Sequence, residues 1–259
     1  TDSENHIDIT KPEEVDSVFY SFEPEVVINT VAIVDLLACE RDPCRAYLVN
    51  SRPASFLSEY CKRLNIPFVH ISTDHFYCDD GRKKHSEEDD VVLLNEYSRT
   101  KYIAERFALL YRRSLVVRTN IVGFKGDKNN PTFVEWFLRE LREGKSIKLF
   151  ADYFTSSIDV RSFSVHLFEL IEIGATGLLN LAGSTVSSKK EFIELTASKL
   201  CLSLNNSKEA SISSIKGIKR AESLGLDVRQ AESILAKKMP SLEEVVENIA
   251  IEAKTRLQI

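Results

Sequence analysis

The stretches FVHISTD (68–74) and NEYSRTKYIAERFALLYRRSLVVRT (95–119) decide the fold. Phe68 to Ser72 reads as a strand, Asn95 to about Arg113 as a helix and Leu115 to Thr119 as a second strand. Working outward toward the N-terminus, Glu25-Val-Val-Ile-Asn29 is too short for a helix and rich in β-branched residues, as a strand covered on both faces should be. Before it, Thr10 and Glu13 predict a capping box, with Val15, Val18, Phe19 and Phe22 at helical spacing until Pro24. Asp42, with Pro43 at the first helical position, opens a helix predicted to reach about Leu64 with a kink at Pro53. Strict alternation of helix and strand implies parallel strands joined by right-handed crossovers, hence a doubly wound parallel α/β sheet.

Beyond Gly123 the rhythm loosens. The pattern predicts helices near Thr132–Glu143 and Phe163–Ile173, strands at Ile147–Phe150 and Gly177–Leu181, and C-terminal helices at about Ser188–Leu202 and Ser241–Lys254. These read as elements completing the sheet plus a smaller lobe.

With 259 residues, 43% hydrophobic and 28% charged, the chain is long enough to bury a core and is not disordered. No apolar run approaches the roughly 20 residues of a membrane span. A net charge of -5 with mixed signs offers no basic face to a nucleic acid. Five cysteines without a signal peptide argue for free thiols and a cytoplasmic setting. Cys39, Cys44, Cys61 and Cys78 lack the paired spacing of a metal site, so small buried thiols are the expectation and no metal is implied. The chain starts at Thr1 and its only methionine is Met239, so it reads as a fragment. The first of its 9 glycines is Gly81, so no phosphate-cradling glycine turn precedes that point.

Tyr97 and Lys101 are one helical turn apart on one face. An ammonium beside a phenol stabilises the phenolate and makes the tyrosine a usable proton donor. Thr73 directly follows a strand, at the carboxyl edge where open α/β sheets bind ligands. Its hydroxyl there could share the charge that develops on a carbonyl oxygen as Tyr97 protonates it. Taken alone, Thr73 reads better as a loop cap, and Tyr97 and Lys101 as a solvated helix face. His75 reads as a surface loop residue, Trp136 and Phe137 as core, and Glu87 to Asp90 as a solvated acidic loop.

Together with DITKPEEV (8–15), PEVVINTVA (24–32), CERDPCRAYLVN (39–50), FVHISTDHFY (68–77), NEYSRTKYIAE (95–105), LVVRTNIVGF (115–124), TFVEWFL (132–138) and GLLNLAG (177–183), the sequence resembles the extended short-chain dehydrogenase/reductases, and among them the dTDP-4-dehydrorhamnose reductases. The resemblance implies a Rossmann-like fold in which residues 1–121 and about 160–182 belong to the dinucleotide-binding domain, and about 122–159 and 183–259 to the substrate-binding lobe. It implies that Thr73, Tyr97 and Lys101 are catalytic. Asp8, Ile9, Thr30, Val31, Ala32, Ser72, Tyr97, Lys101, Asn120 and Ile121 would meet NADPH or NADH. Thr73, Asp74, His75 and Ile121 would meet a nucleotide-linked 4-keto-6-deoxysugar destined for surface polysaccharide, and the resemblance leaves room for a homodimer.

The chain departs from the family at its start, where the first strand, the glycine-rich turn and the helix that binds pyrophosphate are missing. Asp2 falls where an acidic residue would bind the ribose of NAD. Val34-Asp35-Leu36-Leu37, Val91, Leu93, Ser98 and Ile121 depart from the rhamnose pattern and leave the sugar open. Asp74, rather than a glutamate, adjoins Thr73, which favours a reductase over a dehydratase or epimerase. A rival of another class is a non-catalytic nucleotide-binding subunit, like the regulatory subunit of methionine adenosyltransferase.

Overall fold

The computed structural model describes residues 7–257; Asp2 lies outside them. The first helix, α1 (Pro12–Phe22), starts on Lys11 rather than on the predicted capping box. Thr10 turns its hydroxyl back to Asp8 Oδ1 at 2.7 Å, and Glu14, not Glu13, reaches back to the Asp8 amide at 2.7 Å. Strand β1 (Val27–Asn29) follows, then a helix absent from the sequence-based expectation, α2 (Leu36–Arg41), whose N-terminus is capped by Asp35 accepting from the Ala38 amide. Six residues are too few for a periodic signal, but the Asp35 cap was a readable sign.

The single kinked helix expected from Asp42 to Leu64 is three pieces. They are α3 (Pro43–Ala46), capped by Asp42, a π-helical stretch Tyr47–Ser51, and α4 (Arg52–Leu64). Pro53 supplies no N–H, and its ring crowds the preceding turn, so the ladder widens before it and the Arg52 amide reaches Tyr47 O. Then come β2 (Phe68–Ile71), α5 (Glu96–Ala108), opened by a capping box between Asn95 and Ser98, and β3 (Ser114–Arg118).

β1 pairs parallel with β2 in the register Val27 to Phe68 and Asn29 to His70, and β2 pairs parallel with β3 from Phe68 opposite Ser114 to Ile71 opposite Val117. The strand Gly177–Asn180 lies next to β3 and completes a four-stranded sheet in the order β1, β2, β3, Gly177–Asn180. β2 and β3 are buried almost throughout, which is why they are continuous apolar runs rather than alternating ones.

The chain divides into two compact units. The first comprises residues up to Thr73, Leu93–Val117 and Ile173–Leu179; the second comprises Asp74–Val92, Arg118–Glu172 and the chain from Asn180 onward. The second unit thus takes in 74–92, 118–121, 160–172 and 180–182, segments that the sequence reading placed with the dinucleotide-binding domain. The core of the first unit joins Val15 and Phe19 of α1 to Leu57 and Cys61 of α4 and to Phe68 and Val116 of the sheet. In the second, helix Phe133–Arg142 buries Val134, Phe137, Leu138 and Leu141 against Phe192 and Ile193 of helix Lys189–Lys199 and Val245, Val246 and Ile249 of helix Leu242–Leu257. Trp136, expected in that core, is 37% exposed, because one residue's rotation sets it on the outer flank of a helix whose inner face is Phe137. Among the described residues no helix is long and apolar enough to cross a membrane. Cys39 and Cys61 are buried as expected, whereas Cys44 and Cys201 are exposed and Cys78 is half-buried.

Candidate functional site

In the first unit, the carboxyl end of β2 delivers Ser72 and Thr73, 6% and 4% exposed, against the buried face of α5. That face carries Tyr97, Lys101 and Glu105 at four-residue spacing, all buried. Lys101 Nζ donates to the Ile71 carbonyl at 2.7 Å, two residues before Thr73, and lies 3.5 Å from His70 Nε2. Tyr97 stands one turn nearer the N-terminus of the same helix. The expected catalytic residues Thr73, Tyr97 and Lys101 therefore belong to one unit and to two touching elements.

The lysine is held in place from several sides. α5 is anchored by Ser51, whose hydroxyl donates to Thr100 O at 2.8 Å, and by Asn50, whose amide nitrogen donates to Thr100 Oγ1 at 3.0 Å. Asn50 Oδ1 accepts the Ile33 amide at 2.7 Å, tying the loop after β1 to the same helix. Glu105 is fully buried and receives the Ser72 hydroxyl at 2.5 Å. Ser72, expected to contact the cofactor, thus commits its hydroxyl to the protein.

Burial brings Lys101 down to about 8, with the Glu105 carboxylate opposing the fall. His70 is held well below the usual histidine range by its burial and by Lys101. Neither His70 nor Glu105 was among the residues expected at the site. Glu105 had a signal in its spacing, four residues past Lys101 and eight past Tyr97, whereas His70 inside a buried strand had none.

Of the remaining positions expected to meet a dinucleotide, Thr30 and Val31 are exposed and Ala32 is half-buried just past β1. Asp8 and Ile9 lie ahead of α1, with the Asp8 carboxylate pulled below its ordinary value by the Thr10 hydroxyl and amide. The Tyr97 phenol, the Lys101 ammonium and the Thr73 hydroxyl suit the ribose and carboxamide end of a nicotinamide nucleotide, so that end fits the residues present. A pyrophosphate cradle is a separate requirement, and no glycine of the described residues precedes Gly81.

The second unit holds the other expected substrate residues, Asp74, His75 and Ile121, together with Asn120, which was expected to meet the cofactor. Asp74, 1% exposed, accepts from the Asn120 amide nitrogen at 2.7 Å, and Asn120 Oδ1 accepts from Ser157 at 3.0 Å, which in turn meets Thr155 at 3.0 Å. Ile121 is exposed at the start of a short strand, Ile121–Val122. His75 is not the surface residue expected: its ring is mostly covered, and burial, with Lys189 and Arg220 nearby, pushes it down to about 4. Lys189 was not foreseen. Its Nζ lies 4.3 Å from the Phe133 ring centroid and 5.8 Å from that of Tyr153, and burial lowers it to about 8 despite the Asp74 charge. Glu87 is likewise no solvated loop residue; it accepts the Asn180 amide at 2.8 Å, and burial raises its carboxyl above the ordinary range.

Both buried lysines make stability depend on pH. In the unfolded chain they titrate near the ordinary 10.5, in the fold near 8. Below pH 8 the cost of burying the ammonium is constant; between 8 and 10.5 the fold releases its proton first, so stability rises with pH. Lys101→Met removes one such gain. Denaturant titrations from pH 7 to 10.5 should find the parent gaining up to about 3 kcal/mol on the variant; parallel curves would disprove the shift.

Residues 1–254 match the RmlD substrate-binding domain family. A probable low-salt glycan biosynthesis reductase of Haloferax volcanii is 26% identical over 248 residues, which span 93% of this chain and 81% of that protein. A dTDP-4-dehydrorhamnose reductase of Aggregatibacter actinomycetemcomitans is 32% identical over 197 residues, 73% of this chain and 65% of the relative. The crystal structure of the Bacillus anthracis dTDP-4-dehydrorhamnose reductase in complex with NADP aligns with a TM-score of 0.87 at 24% identity, covering 95% of this chain and 87% of that one. The expected α/β Rossmann-like fold and the expected family are both met, and the chain belongs to the RmlD substrate-binding domain family.

Proposed function

We propose that this protein is an NADP(H)-dependent reductase of a nucleotide-linked 4-keto-6-deoxysugar, acting in the cytoplasm on a precursor of surface polysaccharide or glycan. The observation that carries the reading is the placement of Lys101: a buried lysine bonded to the carboxyl end of β2, one turn from Tyr97 and beside the segment that bears Thr73. The names of the relatives, reductases of dehydrorhamnose and of glycan synthesis, support the sugar class. NADP in the Bacillus anthracis structure supports the cofactor, and free cysteines suit a reducing compartment.

When bound, the reduced nicotinamide supplies a hydride to the carbonyl carbon. Tyr97 then gives its phenolic proton to the oxygen, Thr73 holds that oxygen by hydrogen bonding, and Lys101 stabilises the phenolate left behind. Burial of all three strengthens these interactions, since water does not screen them. The test is oxidation of NADPH by the protein with dTDP-4-keto-6-deoxysugars, followed by the loss of the reduced nicotinamide absorbance, with the alcohol product identified by mass spectrometry. Formation of that alcohol is expected; a folded protein that binds the nucleotide yet reduces no such sugar would favour the non-catalytic reading.

A further inference from the structure

Asn29 and His70 are paired neighbours on β1 and β2, and both side chains are buried. Asn29 Oδ1 accepts the Val31 amide at 3.2 Å, and Asn29 Nδ2 stands 3.2 Å from His70 Nδ1. A backbone N–H can only donate, so it fixes the oxygen end of the Asn29 amide toward itself and leaves the nitrogen end to donate to His70. A neutral imidazole that accepts at Nδ1 carries its proton on Nε2. That Nε2 faces Lys101 Nζ at 3.5 Å. An ammonium has three protons and no lone pair, so two donors confront each other; a neutral amine can accept from Nε2–H and still donate to Ile71 O.

We propose that His70, its tautomer fixed by Asn29 and the Val31 amide, is a positioning residue that favours the neutral amine of Lys101 and so eases proton release from Lys101 to Tyr97. The inference rests on the reductase reading for its role in turnover. Tyr97 loses its phenolic proton to the substrate alkoxide, the phenolate takes a proton from the Lys101 ammonium, and the neutral amine left behind recovers a proton from water. The low proton affinity of Lys101 runs in the same direction.

The surroundings leave His70 this part. Glu105, on the same helix, favours the ammonium, and Tyr97 precedes it by two turns. From α4 come Ala54, Leu57, Ser58 and Cys61, whose thiol burial pushes up to about 12 and which therefore stays neutral. The Tyr47–Ser51 stretch brings neutral Asn50 and Ser51, and α2 meets the start of α5 through Glu40 at the Glu96 amide.

The test is ¹⁵N magnetic resonance of the full chain with labelled histidine, the His70 signals being assigned by their loss in His70→Gln. The native ring should carry its proton on Nε2 at neutral pH. In Asn29→Asp a carboxylate accepts from both Val31 and Nδ1–H, so the tautomer should invert and the titration midpoint of Lys101, read from labelled side-chain carbon, should rise by at least about one pH unit. Asn29→Ala adds no charge and frees the ring to accept from the ammonium, so it should raise the midpoint by less. During turnover Asn29→Asp should lower kcat at unchanged KM and move the alkaline limb of the pH profile upward. A native ring protonated on Nδ1, or an unmoved Lys101 midpoint in folded Asn29→Ala, overturns the proposal. These resonance measurements need neither cofactor nor sugar, so a chain that reduces no sugar would refute the reductase reading without deciding the tautomer.

Discussion

Tyr97→Phe should lower kcat/KM for the keto sugar by about 10²- to 10⁴-fold, the range that a positioned proton donor supplies. The change removes one oxygen from a ring only 8% exposed, and α5 keeps its capping box and its anchors through Thr100. Thermal unfolding should therefore shift little, and nucleotide binding should persist because Lys101 remains fixed to Ile71 O. The measurement is steady-state reduction alongside nucleotide titration of the same preparation. A variant with activity within about threefold of the parent would remove Tyr97 from the chemistry, because a positioned donor is worth far more than that.

The second large effect is on stability. Phe137 is fully buried, its ring 5.3 Å from that of Phe133 and 6.3 Å edge-on from that of Phe192. Phe137→Ala should cost about 3–5 kcal/mol through lost burial and the cavity left behind. Trp136→Ala, one position along and partly solvated, should cost much less. Urea midpoints of the two variants provide the check; equal losses would mean that the helix does not present Phe137 as its inner face.

Period and punctuation made part of the fold legible in advance. The apolar strands β1 to β3 and the helix carrying Tyr97 and Lys101 could be read because short buried runs alternate with helical ones, and because capping residues such as Asn95 mark the starts. The short strands Phe154–Thr155, Ile158–Asp159 and Ser187–Ser188 could not, since two residues have no period to detect. At the site, spacing placed Tyr97 and Lys101 together and chain order put Thr73 at the strand end. Partners brought from afar in sequence, such as Asn29 to His70 and Asn50 to Thr100, depend on strand register and helix packing, which no local pattern encodes. Glu87 and His75 were misjudged for the same reason: composition described their segment as a loop, while burial came from tertiary contacts.

The widened turn at Tyr47–Ser51 bears on how this protein tolerates change in length. Losing a single amino acid between Tyr47 and Val49 would close the wide turn to ordinary winding and leave α3 and α4 in their present phase, because the widening is what takes up the extra residue. Asn50 and Ser51, which lead into α4, would stay on Thr100, and the helix with Tyr97 and Lys101 would keep its brace. Point replacements on the outer side, at Leu48 for instance, leave that register alone. Evolution can therefore trim this segment by one letter at little cost, whereas a letter lost from the regular turns of α4 would turn every later residue of that helix by about 100°.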